Sequence, residues 1–517
     1  MPEIRINGTP VRARAGTTVL AALRASGHAT TCASVTGEPR GGLCGMGVCM
    51  ECHALVNGRT ARTCLTPVAD NLDVTTLDAP NSGENGARSR HAAETGGDTR
   101  PPATVDVLVI GAGPAGLEAA VAAGSAGVRV AVLDLNGTAG GQIWRGAQPA
   151  TRGAAGALLR HLQGVPNVTL HQGVQVAAVT GARSFLVTGS FGAAGVSARA
   201  VILATGAHEV FVPFPGWTLP NVTGAAALQA MLKGGLDVRG KRVLVAGTGP
   251  LLLIVARDLR AHGAHVIGVA EQATARQLLP FARALARHPS KLAQGLALRA
   301  RLSGTPYWTG AYPVRATGTD RVRHVTLRRG SRAWTREVDY LAVGFGLAPD
   351  TRLASALGCD VWPNGAVRVD AAGLTSVPGV YAAGEITGVG GADKARLEGR
   401  AAGWFAAAQT ERGARLLPRV AAARAFADAL GEAFRLRSDV RKLPEPDTFV
   451  CRCEDVTHAA LAARSGWVDA KLHTRCGMGA CQGRVCGGAT SFLYGWGHER
   501  GRAPLFPTRI QDLLEEA

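Results

Sequence analysis

The mainly apolar stretch Val105–Ile110 runs straight into GAGPAG at 111–116, then into a small-faced helix carrying Ala119, Ala120 and Ala123. A second strand, Val128–Leu133, ends on Asp134. A glycine motif alone is a weak signal, but strand, helix and an acid 23 residues past Gly111 together specify a dinucleotide-binding βαβ unit. Gly111 makes the turn, Gly113 admits a pyrophosphate, and Gly116 lets the helix approach the strand. Pro114 and Ala115 open the helix, whose N-terminus faces the phosphate charge, and Asp134 meets ribose hydroxyls. The competing reading is a merely structural βαβ turn.

The pattern occurs twice. Lys241–Ala246 leads into Gly247 and Gly249, with Glu271 as the acid, but Leu252 replaces the third glycine and would crowd the helix against its strand. Three readings stay open for this second site: NAD, another adenine nucleotide, or a vestigial loop. Glu271 favours NAD over NADP, because its charge repels a 2′-phosphate.

Ten of the eleven cysteines lie in two terminal clusters, with Cys359 alone between them. A chain of 517 residues with no visible export signal is no disulfide mini-protein, so a reducing compartment is expected and clustered thiols mean metal. Cys44, Cys49, Cys52 and Cys64 follow the C-x4-C-x2-C…C spacing of a plant-type [2Fe–2S] centre. Gly45 and Gly47 let that loop fold until backbone N–H groups point at the sulfurs. A tetrahedral zinc site is the alternative, and a four-residue gap beside a two-residue gap suits zinc poorly. Cys32 falls outside the spacing and reads as a buried thiol. At the other end stand VCRCEDV (450–456) and TRCGMGACQGRVC (474–486); here zinc is a live alternative, since the pairs are less distinctive.

Composition bounds the rest. Two to four domains are expected, and 46% hydrophobic residues suffice for real cores. The formal charge of +18 comes from scattered arginines without a basic run or an aromatic platform, which argues against nucleic acid and for solubility, an acidic partner or anionic ligands. The most apolar stretch, Val243–Ala256, is interrupted by Gly247, Gly249 and Pro250 and is too short to span a bilayer. The expected segments are a β-rich domain holding the first cysteine cluster at 1–80, a linker at 81–103, a first dinucleotide-binding domain at 104–225 and 345–445, an inserted NAD-type domain at 226–344, and a domain holding the second cysteine cluster, with the tail, at 446–517. The fold class is α/β: two Rossmann-like dinucleotide-binding domains flanked by a β-grasp-like domain and a small α-rich one.

GAGPAG, ILATGA (202–207), GTGP (247–250) and VYAAGE (380–385) resemble the two-dinucleotide-domain flavoproteins that include disulfide reductases. That resemblance implies FAD, with Thr205 and Gly206 near the flavin nucleotide and Gly384–Glu385 near its ribityl chain and phosphates. Thiol–disulfide chemistry is excluded, because no CxxC stands between 65 and 450. The C-terminal pairs resemble the bacterioferritin-associated ferredoxin type, which implies Cys451, Cys453, Cys481 and Cys486 as ligands, with Cys476 a competitor. GGQIW (140–144), PFPGWTLPNV (213–222) and GEITGVGGADKARLEGR (384–400) narrow the resemblance to the A-type subunits of opine oxidase, D-hydroxyproline dehydrogenase and hydrogen cyanide synthase, related to sarcosine oxidase α. Gly141 and Gln142 join the candidate cofactor contacts. His208 stands where arginine is commoner and reads as a loop histidine.

The group implies an electron-transfer subunit of an amine or amino-acid dehydrogenase. Its partners would be a D-amino-acid-oxidase-like FAD subunit, which oxidises the substrate, together with a one-electron acceptor. FMN at a subunit interface is a further cofactor the resemblance implies. The location expected is cytoplasmic, peripheral to the inner membrane through partners. No residue is assigned as catalytic. Two rivals are a self-contained NAD(P)H-dependent FAD/[2Fe–2S] oxidoreductase and a non-catalytic iron–sulfur sensor or assembly module.

Overall fold

The computed structural model describes residues 1–78, 100–286, 288–497 and 502–514. Most of the linker expected at 81–103 lies outside the described residues. The chain forms two compact units. One takes Met1–Ala92, Glu209–Leu347 and Glu432–His498; the other takes Ala93–His208, Ala348–Gly431 and Glu499–Ala517.

The second of these units is built on the first nucleotide motif. Its sheet runs in the order Val168–Gln172, Val130–Asp134, Thr104–Ile110, Gly192–Leu203, Ser184–Gly189, Gln175–Gly181, and Val380–Ala382 pairs in parallel with Gly192–Leu203. Thr104–Ile110 pairs in parallel on both sides and is buried on both faces, hence its mainly apolar composition. Helix Pro114–Gly124 starts on a proline, whose missing N–H costs nothing at that position, and all its residues are buried. Helix Ala392–Ala406 lies against it so closely that a Cβ on Gly399 would sit 2.0 Å from the Ala115 carbonyl oxygen, and one on Gly403 2.4 Å from that of Ala119. The small faces of both helices are thus required by contact between their backbones.

The first unit opens with a five-stranded sheet in the order Thr9–Arg12, Glu3–Ile6, Asp73–Thr76, His53–Val56, Arg59–Arg62. Asn7 and Gly8 both have positive φ, which matches the hairpin twist and sets the register Ile4↔Val11. Helix Val19–Ala25, capped by the Thr18 hydroxyl, buries Leu20 and Leu23. Next comes the second nucleotide sheet, all parallel: Val222–Gly224, Tyr340–Gly344, Arg242–Gly247, His265–Glu271, Tyr307–Thr309. An antiparallel meander, Ala311–Thr317, His324–Arg329 and Arg332–Glu337, is inserted into it. The C-terminal part is short strands Phe449–Cys451 and Val456–Thr457 with helices His458–Ala462, Trp467–Thr474 and Cys486–Tyr494. One apolar core of this unit gathers Leu43, Phe214, Trp217 and Leu341 together with Cys44, Cys49 and Cys481. Among the described residues no helix is long and apolar enough to cross a membrane.

Candidate cofactor and metal sites

In the second unit the first nucleotide loop has the shape a pyrophosphate needs. Gly111 takes φ +107°, and a Cβ on it would lie 2.3 Å from the Ala204 carbonyl oxygen; one on Gly116 would lie 1.7 Å from that of Gly111. Nothing stands within 4 Å of a Cβ on Gly113, so that face is open. The carboxylate of Asp134 accepts the amides of Ala112 and Asn136. Burial raises its pKa, opposed by those amides. Gly141, at φ +59°, brings the GGQIW loop against Gly113, and Gln142 accepts a bond from Arg145 at 2.7 Å. Thr205 donates to the Asp350 carbonyl at 2.6 Å, beside Gly206 at φ +77°.

The returning loop completes the cradle. A Cβ on Gly384 would lie 2.8 Å from that of Ala115. Glu385 Oε1 accepts the amides of Gly390 and Gly391, at 3.3 and 2.7 Å, whereas its Oε2 is buried with no partner among the described residues. Burial pushes this carboxyl up. An orphaned buried acceptor beside an open glycine loop fits a hydroxyl-rich ribityl-phosphate ligand, and the site fits FAD on that ground. Lys394, which motif reading did not single out, holds this loop: its Nζ donates to the carbonyls of Gly384 and Gly388, to Thr387 Oγ1 and to Glu398 Oε2, all within 2.9 Å.

The second nucleotide loop differs. Gly247, at φ +138°, and Gly249, at φ +98°, make the expected turn, and Glu271 accepts the amides of Gly249 and Ala273, both at 2.8 Å. Glu271 is fully buried, which pushes its carboxyl up to about 7 against those amides. The strand ends are occupied by the chain itself. Thr248 Oγ1 donates to the Phe434 carbonyl at 2.9 Å, Gln272 Nε2 donates to that of Arg435 at 3.2 Å, and the Arg437 amide donates to Gln272 Oε1 at 3.1 Å.

In the first unit, Cys44, Cys49, Cys52 and Cys64 are each at most 3% exposed. Cys44 Sγ accepts the amides of Met46, Val48 and Cys49 at 3.3–3.4 Å, which the positive φ of Gly45 and Gly47 makes reachable. Cys49 Sγ accepts the amide of Glu51 at 3.5 Å. Burial opposes ionisation of Cys44, but the Cys49 thiol and these amides outweigh it and hold Cys44 below the ordinary thiol range. Three buried sulfurs on a loop with N–H donors, joined by that of Cys64 arriving after the strand Arg59–Arg62, fit an anionic [2Fe–2S] centre. Cys32 is half-buried and bonded to the Glu51 carbonyl at 3.4 Å.

All five C-terminal cysteines converge in two groups. The sulfurs of Cys451, Cys476 and Cys486 lie within 4.8 Å of one another, and Cys453 and Cys481 hydrogen-bond to each other. The competitor Cys476 therefore stands in the trio, and Cys481 and Cys453 stand in the pair. Among the described residues no cysteine forms a disulfide. Gly477 and Gly483 give room to the ring of Trp467, which lies 2.6 and 3.0 Å from where their Cβ atoms would be.

The two cysteine loops belong to the same compact unit and are tied together. Arg452 Nε and Nη2 donate to Glu51 at 2.8 and 2.7 Å, and Arg452 Nη1 donates to the Trp217 carbonyl at 3.0 Å. Burial disfavours the Arg452 charge, yet Glu51 and the neighbouring thiols Cys49 and Cys453 more than offset this and raise its pKa. Alongside, Asp455 accepts from Arg40 and from the hydroxyl of Thr36. Sequence reading passed over Glu51 and Arg452; their signal was position, since each stands between two candidate ligands.

Residues 105–409 match the pyridine nucleotide-disulphide oxidoreductase family, and residues 2–79 match a 2Fe-2S iron-sulfur cluster binding domain. The opine oxidase A-type subunit of Rhizobium meliloti is 32% identical over 471 residues, covering 79% of this chain and 87% of that protein. Hydrogen cyanide synthase subunit HcnB of Pseudomonas protegens is 31% identical over 437 residues, 75% of this chain and 91% of that one. Among solved structures, L-proline dehydrogenase from P. horikoshii covers 99% of this chain and 97% of its own with a TM-score of 0.68. At 19% identity this last likeness concerns the fold.

Proposed function

The chain belongs to the pyridine nucleotide-disulphide oxidoreductase family, and from that premise we propose that it is the electron-relaying subunit of an amine or amino-acid dehydrogenase. It is a FAD-dependent oxidoreductase carrying an N-terminal iron–sulfur domain. The donor we propose is an opine, D-hydroxyproline or a glycine-like amino acid, oxidised at its C–N bond on the FAD of a D-amino-acid-oxidase-like partner. The assembly is then a hetero-oligomer. The similarity to opine oxidase and cyanide synthase subunits supports this reading.

A bound flavin takes two electrons together and releases them singly, whereas each [2Fe–2S] centre holds one. The chain's own residues supply position and environment for that conversion. Gly113 keeps the phosphate site open, Gly116 lets the helix close on its strand, Glu385 offers its spare oxygen to the ribityl chain, and the amides around Cys44 stabilise negative charge on sulfur. We propose a second [2Fe–2S] centre among the C-terminal cysteines, with Cys451, Cys453, Cys481 and Cys486 as ligands. The observation that carries the relay reading is the placement of both cysteine sets in one compact unit, joined through Glu51 and Arg452.

The Phe434–Arg437 segment on Thr248 and Gln272 supports a second nucleotide fold kept for its shape, without NAD as a hydride source. The test is anaerobic reduction of the purified chain. NADH should leave the flavin oxidised, and amino acid should bleach it when the partner flavoprotein is co-purified. Rapid bleaching by NADH in the single chain would establish the self-contained reductase instead. A preparation with zinc and no acid-labile sulfide would remove the relay altogether.

A further inference from the structure

Between the two cysteine sets lies an ion pair that neither set needs for ligation. Glu51 stands between Cys49 and Cys52, and Arg452 stands between Cys451 and Cys453. Their side chains are 6% and 2% exposed, and the contact is bidentate, Nε to Oε1 at 2.8 Å and Nη2 to Oε2 at 2.7 Å. The Trp217 ring lies 4.9 Å from the guanidinium carbon, and its indole N–H donates to the Phe449 carbonyl two residues before Cys451. Taking two charges out of water is unfavourable, and an apolar pair of equal size is often as stable. Stability alone therefore gives a poor reason for this pair.

We infer that the Glu51–Arg452 pair is a charge element shared by the two cysteine-bound centres, holding their loops face to face and tuning both at once, so that one electron passes directly between them. The inference rests on the reading of two [2Fe–2S] centres. In the step, the donor centre loses one electron and the acceptor centre gains it; no proton moves and no bond forms or breaks. Three observations carry it. The Glu51 amide donates to Cys49 Sγ, so the pair is anchored on a ligand of the first set. Cys44 and Cys49 share one apolar core with Cys481, and Cys453 packs against it. Asp455, bonded to Arg40 and Thr36, clamps the same C-terminal loop to the first domain a second time. Glu51 and Arg452 are positioning residues.

Charge near a cluster sets its potential, since a nearby cation favours the reduced, more negative state. Glu51→Gln leaves the cation uncompensated and should raise the reduction potentials of both centres. Arg452→Met leaves the carboxylate and should lower both. Glu51→Met/Arg452→Met restores a neutral pair and should return both potentials toward the parent values. The full chain is titrated anaerobically and followed by electron paramagnetic resonance, after iron and acid-labile sulfide are counted in each variant. The parent, reduced at both centres, should show spin–spin interaction between them. If Arg452→Met fails to fold, Glu51→Gln and the double variant carry the comparison.

Opposite shifts of both potentials in the single variants, with iron retained, support the inference. A shift confined to one centre, or none, overturns it, because a merely structural pair would alter thermal stability and leave the potentials in place. Uncoupled spins in a fully loaded parent overturn it as well. Iron for a single centre in the parent defeats the two-centre reading, and the inference with it, at the metal count before any potential is measured.

Discussion

Lys394→Met is the sharpest perturbation of the flavin cradle. The buried ammonium donates to two loop carbonyls, Gly384 and Gly388, to the Thr387 hydroxyl and to Glu398, at 2.8–2.9 Å. Methionine fills the same space and supplies none of these bonds. Removing one partner of a buried pair costs about 3–5 kcal/mol. Here the loss belongs at the lower end, about 3 kcal/mol, because Glu398 retains Arg424 at 2.7 Å and still accepts from the Gly384 amide and the Thr387 hydroxyl. At about 2–4 °C per kcal/mol, the unit should melt about 10 °C lower. The same loop carries Gly384 and Glu385, so an equal loss transmitted to the ligand is a roughly 100-fold weaker hold on FAD. The assay is the ratio of flavin to protein absorbance on isolation, with melting measured in flavin-stripped and flavin-saturated samples. Stripping separates loop stability from ligand stabilisation. A variant that keeps its flavin and melts within about 2 °C of the parent would refute the idea that this pair holds the loop.

Gly116→Ala should abolish flavin retention, because its Cβ would fall 1.7 Å from the Gly111 carbonyl oxygen and neither backbone can yield; flavin content after purification reads it. Cys481→Ser should lose the iron of one centre while Cys476→Ser keeps it; the reverse pattern of iron counts would move one ligand to the trio of Cys451, Cys476 and Cys486. For Glu271, the folded-state value of about 7 lies above the ordinary 4.5, so the folded chain binds the proton more tightly and stability falls as pH rises from about 4.5 to about 7. Denaturant titrations should show Glu271→Gln gaining on the parent across that window, by at most about 3 kcal/mol, and a difference independent of pH would contradict it.

The fold class was legible because its signals are local. Val105–Ile110, the glycines of GAGPAG and the alanines behind them report a strand buried on both faces and a helix pressed onto it, and those constraints act within some thirty residues. The plant-type cysteine spacing was legible for the same reason. Lys394 and Glu398 stood inside a motif already singled out, yet their pairing reads as ordinary helical charge until Glu398 is seen also to bind Arg424 and the Gly384 amide. Leu252 suggested a crowded second site; that Phe434–Arg437 lies on its strand ends could not be seen, because this contact joins residues more than 160 apart.

The sequence by itself determined the two nucleotide folds, the family and the N-terminal cluster loop, since each depends on side-chain type at short, regular spacing. Only the tertiary structure decided that the N-terminal and C-terminal cysteine loops share one unit, and that Glu51 and Arg452, 401 residues apart, meet between them. The physical reason is that a buried charge is specified by its partner, and a partner brought in by chain folding leaves no periodicity to read.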